Sequence, residues 1–212
     1  MPSPEHYAAF VLASFVLIVI PGPSVLFAVS RALAYGRAVA LKTVVGGAIG
    51  SLTAATAVAL GVGAIVQTSA VVYTVIKFAG AAYLIFLGVQ AIRHRRSLRA
   101  AFEAQAGVLT SGRTVMQGFL VGVTNPKTVV FFAAILPQFV DRQAGHASAQ
   151  MLILGATFAA IALVMDSVWG MAAGAVRAWF ARSARRLDLV GGAAGLTMVG
   201  LGVGLAVSGR KD

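Results

Sequence analysis

Long apolar runs separated by short polar stretches set the plan of this chain. The first run, Ala8 to Ala34, carries no charge until Arg31. A helix needs about 20 residues to cross the hydrocarbon of a bilayer, so this run is long enough. Pro21-Gly22-Pro23 sits near its centre. Proline removes a backbone donor and clashes with the turn before it, so the pattern predicts a broken span. In lipid the freed carbonyls must be satisfied by protein or by a water-filled path, so the break is expected to face inward. The same reading gives six spans: about Tyr7–Leu33, Thr43–Val66, Ala70–Ile92, Val115–Val140, Ala149–Val176 and Leu189–Val207. The fourth is interrupted in turn by Asn125-Pro126-Lys127 and Pro137.

The polar stretches orient the spans. The segments after spans one, three and five hold Arg31, Arg37 and Lys42, then Arg93, Arg95, Arg96, Arg99 and Arg113, then Arg177, Arg182, Arg185 and Arg186. The opposite side holds Arg142, Arg210 and Lys211, with Lys77 near the start of span three. Twelve basic residues against at most four place the basic loops in the cytoplasm and both termini in the periplasm. The N-terminal Met1-Pro-Ser-Pro-Glu-His lacks a basic region, and the run after it exceeds a signal-peptide core, so it reads as a retained first span.

Composition agrees. Of 212 residues, 59% are hydrophobic and 11% charged, and mean hydropathy is +0.89; a soluble domain carries about 25% charged residues. The chain reads as an integral membrane protein forming a single membrane domain over 1–212. Its net charge of +11 is accounted for by the orienting loops, and nucleic acid is not an expected partner. Cysteine is absent, so thiol and disulfide chemistry are excluded.

The two halves, about 1–105 and 106–212, resemble each other. Gly80-Ala-Ala-Tyr-Leu-Ile-Phe-Leu-Gly88 recurs as Gly192-Ala-Ala-Gly-Leu-Thr-Met-Val-Gly200, an offset of 112. Phe15, Val19, Val25 and Phe27 match Phe119, Val123, Val129 and Phe131 at an offset of 104, which lays Pro21-Gly22-Pro23 on Asn125-Pro126-Lys127. Three spans per half require the second half to enter the membrane in the opposite sense. The expected fold is therefore all-α, six transmembrane helices in two inverted repeats, with the transport site at the paired breaks near the midplane.

Lys127 and Asp166 fall near the middle of spans four and five, where an ionised side chain costs about 2.5–3.5 kcal/mol on insertion scales. They are expected to face a cavity and to balance each other, as coupling residues or as a buried structural pair. Pro21, Gly22, Pro23, Ser24, Thr124, Asn125, Pro126 and Lys127 form the expected substrate path. Amides freed at a broken helix suit a carboxylate, such as that of an amino acid. Gly46, Gly47 and Gly50, with Gly61 and Gly63 further along, are expected to let span two pack closely. Trp179 reads as an interfacial anchor. No GxSxG, HExxH or phosphate-binding loop is present, and His6, His94 and His146 lie outside the spans. An enzyme is thus disfavoured, no cofactor is expected, and an intramembrane histidine metal site is not expected.

Pro21-Gly22-Pro23, Gly36-Arg37, Lys77-x-x-Gly80-x-x-Tyr83-Leu84-x-x-x-Gly88, Asn125-Pro126-Lys127 and Leu136-Pro137-Gln138-Phe139 together resemble the lysine exporter and homoserine/threonine exporter family. The resemblance covers nearly the whole chain. It implies a multi-pass protein of the bacterial inner membrane that exports amino acids or close relatives, driven by an ion gradient, with the proton as the expected ion. Its partners would be the amino-acid substrate and membrane lipid, with a homodimer left open. Many relatives carry an aspartate after the glycine of span two, where this chain has Ser51 after Gly50. The alternative reading is a related six-helix exporter of metal cations, against which stand the missing cysteine and intramembrane histidine and the single buried acid.

Overall fold

A computed structural model of the chain describes residues 2–62, 70–93, 111–141 and 143–175, together with 189, 192, 193, 196, 199, 200, 202–204, 206 and 207. The basic segments around Arg95, Arg96 and Arg99 and around Arg177, Arg182, Arg185 and Arg186 lie outside the described residues. So do Gly63, His94, Arg142, Trp179 and the full course of the sixth span. The described residues are helical, with no strand among them.

Helix α1 spans Pro4–Val19 and α2 spans Pro23–Tyr35. Ser3 caps α1, its hydroxyl accepting the His6 N–H at 3.3 Å, and Pro4 and Glu5 occupy the first turn. Pro21 has no N–H for the Leu17 carbonyl and holds Ile20 in an extended conformation, so α1 stops and the axis turns by 46°. Gly36 ends α2 at φ +90°, its N–H bonded to the Ala32 carbonyl at 3.0 Å, and the chain re-enters a helix at once. Helix α3, Arg37–Ala57, continues through a π-helical turn, Val58–Val62.

Helix α4 is Ala70–Arg93. The second broken pair is α5, Ser111–Val123, and α6, Pro126–Val130, which runs on through a π-helical turn at Phe131–Ile135 and a 3₁₀ turn at Leu136–Phe139. This pair bends by 42°. Helix α7, Ala147–Ala175, is the longest among the described residues, with 29 residues.

Among the described residues, two stretches, Arg37–Gly61 and Ala147–Ala175, are long and apolar enough to cross a membrane, and each bent pair adds one more if its halves form a single span. Leu12, Phe15 and Val16 on α1, Ile49 on α3 and Val164 and Val168 on α7 point outward, as lipid-facing residues do. The protein is a multi-pass membrane protein. The second helix begins earlier than the hydropathy pattern placed it. Arg37 and Lys42 are helical rather than part of a basic turn, because Gly36 alone makes the reversal. Lys42 is exposed there and donates to the Ser111 hydroxyl at 2.6 Å.

Packing is closest between α3 and α5. Gly46 and Gly50 face the backbone of Val115 and Phe119, while Gly118 and Gly122 face the carbonyls of Thr43 and Gly47. A methyl group at any of these four glycines would meet backbone, which cannot move aside. This is the close approach through small residues that the sequence predicts, and it fixes where the second break lies. Gly61 lies outside this seam, in open space.

Two apolar layers flank the breaks. One joins Phe10 and Leu17 of α1 to Phe131, Phe132 and Leu136 and to Leu154 and Phe158 of α7. Its rings pack at 4.8 Å for Phe132–Phe158 and 5.4 Å for Phe10–Phe139. The other, smaller layer holds Val25, Val29, Leu33, Ala40 and Ala173, with Trp169 against it. Along α7 the order is Phe158, Ala162, Asp166, Trp169, Ala173, so Asp166 falls between the layers.

Candidate functional site

The two breaks meet. Ending α1 at Val19 frees the Leu17 and Ile20 carbonyls, which form the partly negative end of that helix. Lys127 supplies the donors from the other break. Its ammonium donates to the Leu17 carbonyl at 3.0 Å and to the Ile20 carbonyl at 2.9 Å. The lysine is 5% exposed, and its stem passes directly over Gly22, where a Cβ would lie 3.0 Å from Cε and Nζ. Glycine at position 22 is thus the residue that lets the ammonium reach α1. Two of the three ammonium donors are engaged, leaving one.

Asn125 makes the second link. Its side-chain oxygen accepts the Lys127 backbone N–H at 3.2 Å and caps α6. Its amide nitrogen donates to the Ser24 hydroxyl of the first break at 2.7 Å. Asn125 is 4% exposed, so both halves of its side chain are satisfied inside the protein. The opposite N-terminus differs. Gly22 precedes α2 without a side-chain cap, leaving the first free amides of α2 beside Ser24.

A small cavity opens at this junction. It offers about 20 Å³ to the centre of a water-sized sphere, room for a water molecule or two and too little for an amino acid. Its walls carry the polar groups of Ser24, Ser51, Asn125, Lys127, Thr128 and Asp166. Ile18, Val25, Phe158 and Ala162 supply its apolar surface. Lys127 and Asp166 both line it.

The structure therefore brings Gly22, Ser24, Asn125, Lys127 and Asp166 together at one cavity. Pro21, Pro23 and Pro126 shape the breaks and do not line it. Thr124 is exposed, and its hydroxyl donates back to the Leu120 carbonyl at 2.6 Å, within its own helix. Thr128, Phe158 and Ala162 were not legible as site residues. Thr128 is one residue past a motif that ends at Lys127, and the other two look like ordinary members of an apolar run. Spacing along α7 holds the signal: Phe158, Ala162 and Asp166 recur every four residues and share one helix face.

Among the described residues no group of three or more His, Cys, Asp or Glu could hold a metal ion. The alternative of metal-cation export finds no support in the named relatives either. A homoserine/homoserine lactone efflux protein of Salmonella typhimurium is 31% identical over 82% of this chain and 84% of its own length. A leucine efflux protein of an Enterobacter species is 26% identical over 95% of both. A membrane protein of Vibrio cholerae without an assigned activity is 36% identical over 79% of this chain and 80% of its own. No solved structure matches the fold. The family model described as LysE type translocator matches residues 15–209, and the chain belongs to that family.

Proposed function

We propose that this protein is a secondary-active exporter of amino acids or closely related small metabolites across the bacterial inner membrane, driven by the proton gradient. One observation carries the reading: two broken helix pairs meet around a polar cavity lined by one lysine and one aspartate. Relatives named for homoserine and leucine efflux supply the substrate class. In this reading the six spans form two inverted repeats, the basic loops face the cytoplasm, and the termini face the periplasm. Asp166 takes up and releases the coupling proton. Lys127 balances its charge and offers its remaining donor to the substrate carboxylate. The cavity as it stands is too small for an amino acid, so the substrate enters when the apolar layers part.

Asp166→Asn tests this, because asparagine keeps the volume and removes the charge. The variant is expected to insert and fold while losing export driven by a pH gradient in proteoliposomes. Export at the wild-type rate with unchanged dependence on pH would make Asp166 structural and move the proton site elsewhere.

A further inference from the structure

We infer that the Lys127 ammonium occupies a monovalent-cation site as a cation tethered to the chain, and that shortening residue 127 opens this site to a free alkali cation of potassium's size. The inference concerns what the junction binds rather than what crosses it, so it stands or falls apart from the exporter reading. Its basis is the set of partners around the ammonium. Among the described residues these are the Leu17 carbonyl at 3.0 Å and the Ile20 carbonyl at 2.9 Å, and no carboxylate joins them. A buried lysine is ordinarily matched by an acid in direct contact. Here main-chain oxygens at the broken end of α1 take that place. Such carbonyls carry partial negative charge, and in membrane proteins they are ligands of alkali cations.

The surroundings complete such a site. Ser24 and Thr128 bring hydroxyl oxygens to the same cavity, and Asp166 brings one negative charge, equal and opposite to the charge held there. The cavity has room for a water molecule or two, which would fill out the coordination of a free ion. An ammonium and a potassium ion are similar in size, so carbonyls placed for one suit the other. The lysine stem lies against Gly22, which has no side chain to fall into the space when the stem is removed. A cation tethered to α6 cannot leave with a substrate, so this charge stays with the protein where a free ion would exchange.

The test is thermal unfolding of the purified full-length protein in potassium, sodium or choline chloride at equal ionic strength. The wild type, its site already filled, is expected to melt within about 1 °C of the same temperature in all three. Lys127→Ala is expected to melt lower in choline and to recover by at least about 3 °C in potassium. Lys127→Met keeps the length of the side chain and fills the space without a charge, so it is expected to gain no more than about 1 °C from potassium. A folded Lys127→Ala protein with one melting temperature in all three salts overturns the inference. So does a Lys127→Met protein that responds as strongly as Lys127→Ala, because the ion then binds somewhere other than the vacated space. A wild type stabilised by potassium or sodium over choline overturns it too. Cells supply potassium during insertion, so a Lys127→Ala protein that cannot be recovered folded in potassium also counts against it. None of these outcomes bears on whether amino acids are exported.

Discussion

The two breaks bend by similar angles, 46° and 42°, and do opposite chemistry. Pro21-Gly22-Pro23 has almost no side chain to contribute, and what it exposes is backbone: the Leu17 and Ile20 carbonyls on one side and uncapped amides on the other. Asn125-Pro126-Lys127 contributes side chains, and they reach across to satisfy the first break. Across the contact the first break supplies the acceptors, two carbonyls and the Ser24 hydroxyl, and the second supplies the donors that meet them. The two breaks form a complementary pair, the side chains of the second filling what the first leaves open. The same complementarity suits glycine at position 22, since a Cβ there would crowd the end of the lysine chain at 3.0 Å.

Removing the donor gives the largest expected effect. Lys127→Ala leaves two carbonyls unpaired in apolar surroundings, at about 1–3 kcal/mol each, and leaves Asp166 without its counter-charge. The melting temperature of the purified protein should fall by several degrees and export should be lost. A variant as stable as the wild type would mean that the α1 carbonyls find other partners and that the clasp is incidental.

Asn125→Ala should rank second. It removes the cap of α6 and the link to Ser24, and loss of an N-cap costs about 0.5–2 kcal/mol. Ser24→Ala breaks only the link between the breaks, so its effect should be smaller than that of Asn125→Ala. Equal losses of stability in the two variants would show that the bond between the breaks, not the cap, is what Asn125 provides.

Thr124→Val should have the smallest effect, within about 0.5 kcal/mol. Its hydroxyl only returns to its own helix, and valine keeps the shape. A large drop in export rate with normal stability would place Thr124 on the path in a conformation other than this one, and would extend the site beyond the five residues that meet here.

Much of the arrangement was legible in advance. The breaks, their pairing and the close helix seam follow from proline, glycine and apolar spacing, each of which acts through local backbone geometry or through the bulk cost of charge in lipid. Lys127 and Asp166 stood out for the latter reason alone. What escaped was direction. Nothing in Asn125-Pro126-Lys127 says that the ammonium turns back onto α1 rather than toward Asp166, because that depends on where Leu17 and Ile20 stop. Nor does Thr124, one residue before the motif, differ in type from Thr128, one residue after it; a helix turn sends one outward and the other into the cavity.

The sequence by itself determined that this chain lives in a membrane, where its helices break, and which two charges must be sheltered, since hydrophobic length, missing N–H groups and desolvation are properties of a segment. Only the tertiary structure decided that the lysine caps the other broken helix, that Ser51 and Phe158 share its cavity, and that two apolar layers enclose it. Those facts depend on contacts between residues about 100 positions apart, such as Lys127 with Leu17 and Asn125 with Ser24, and a hydrogen bond at that separation is set by packing rather than by any local pattern.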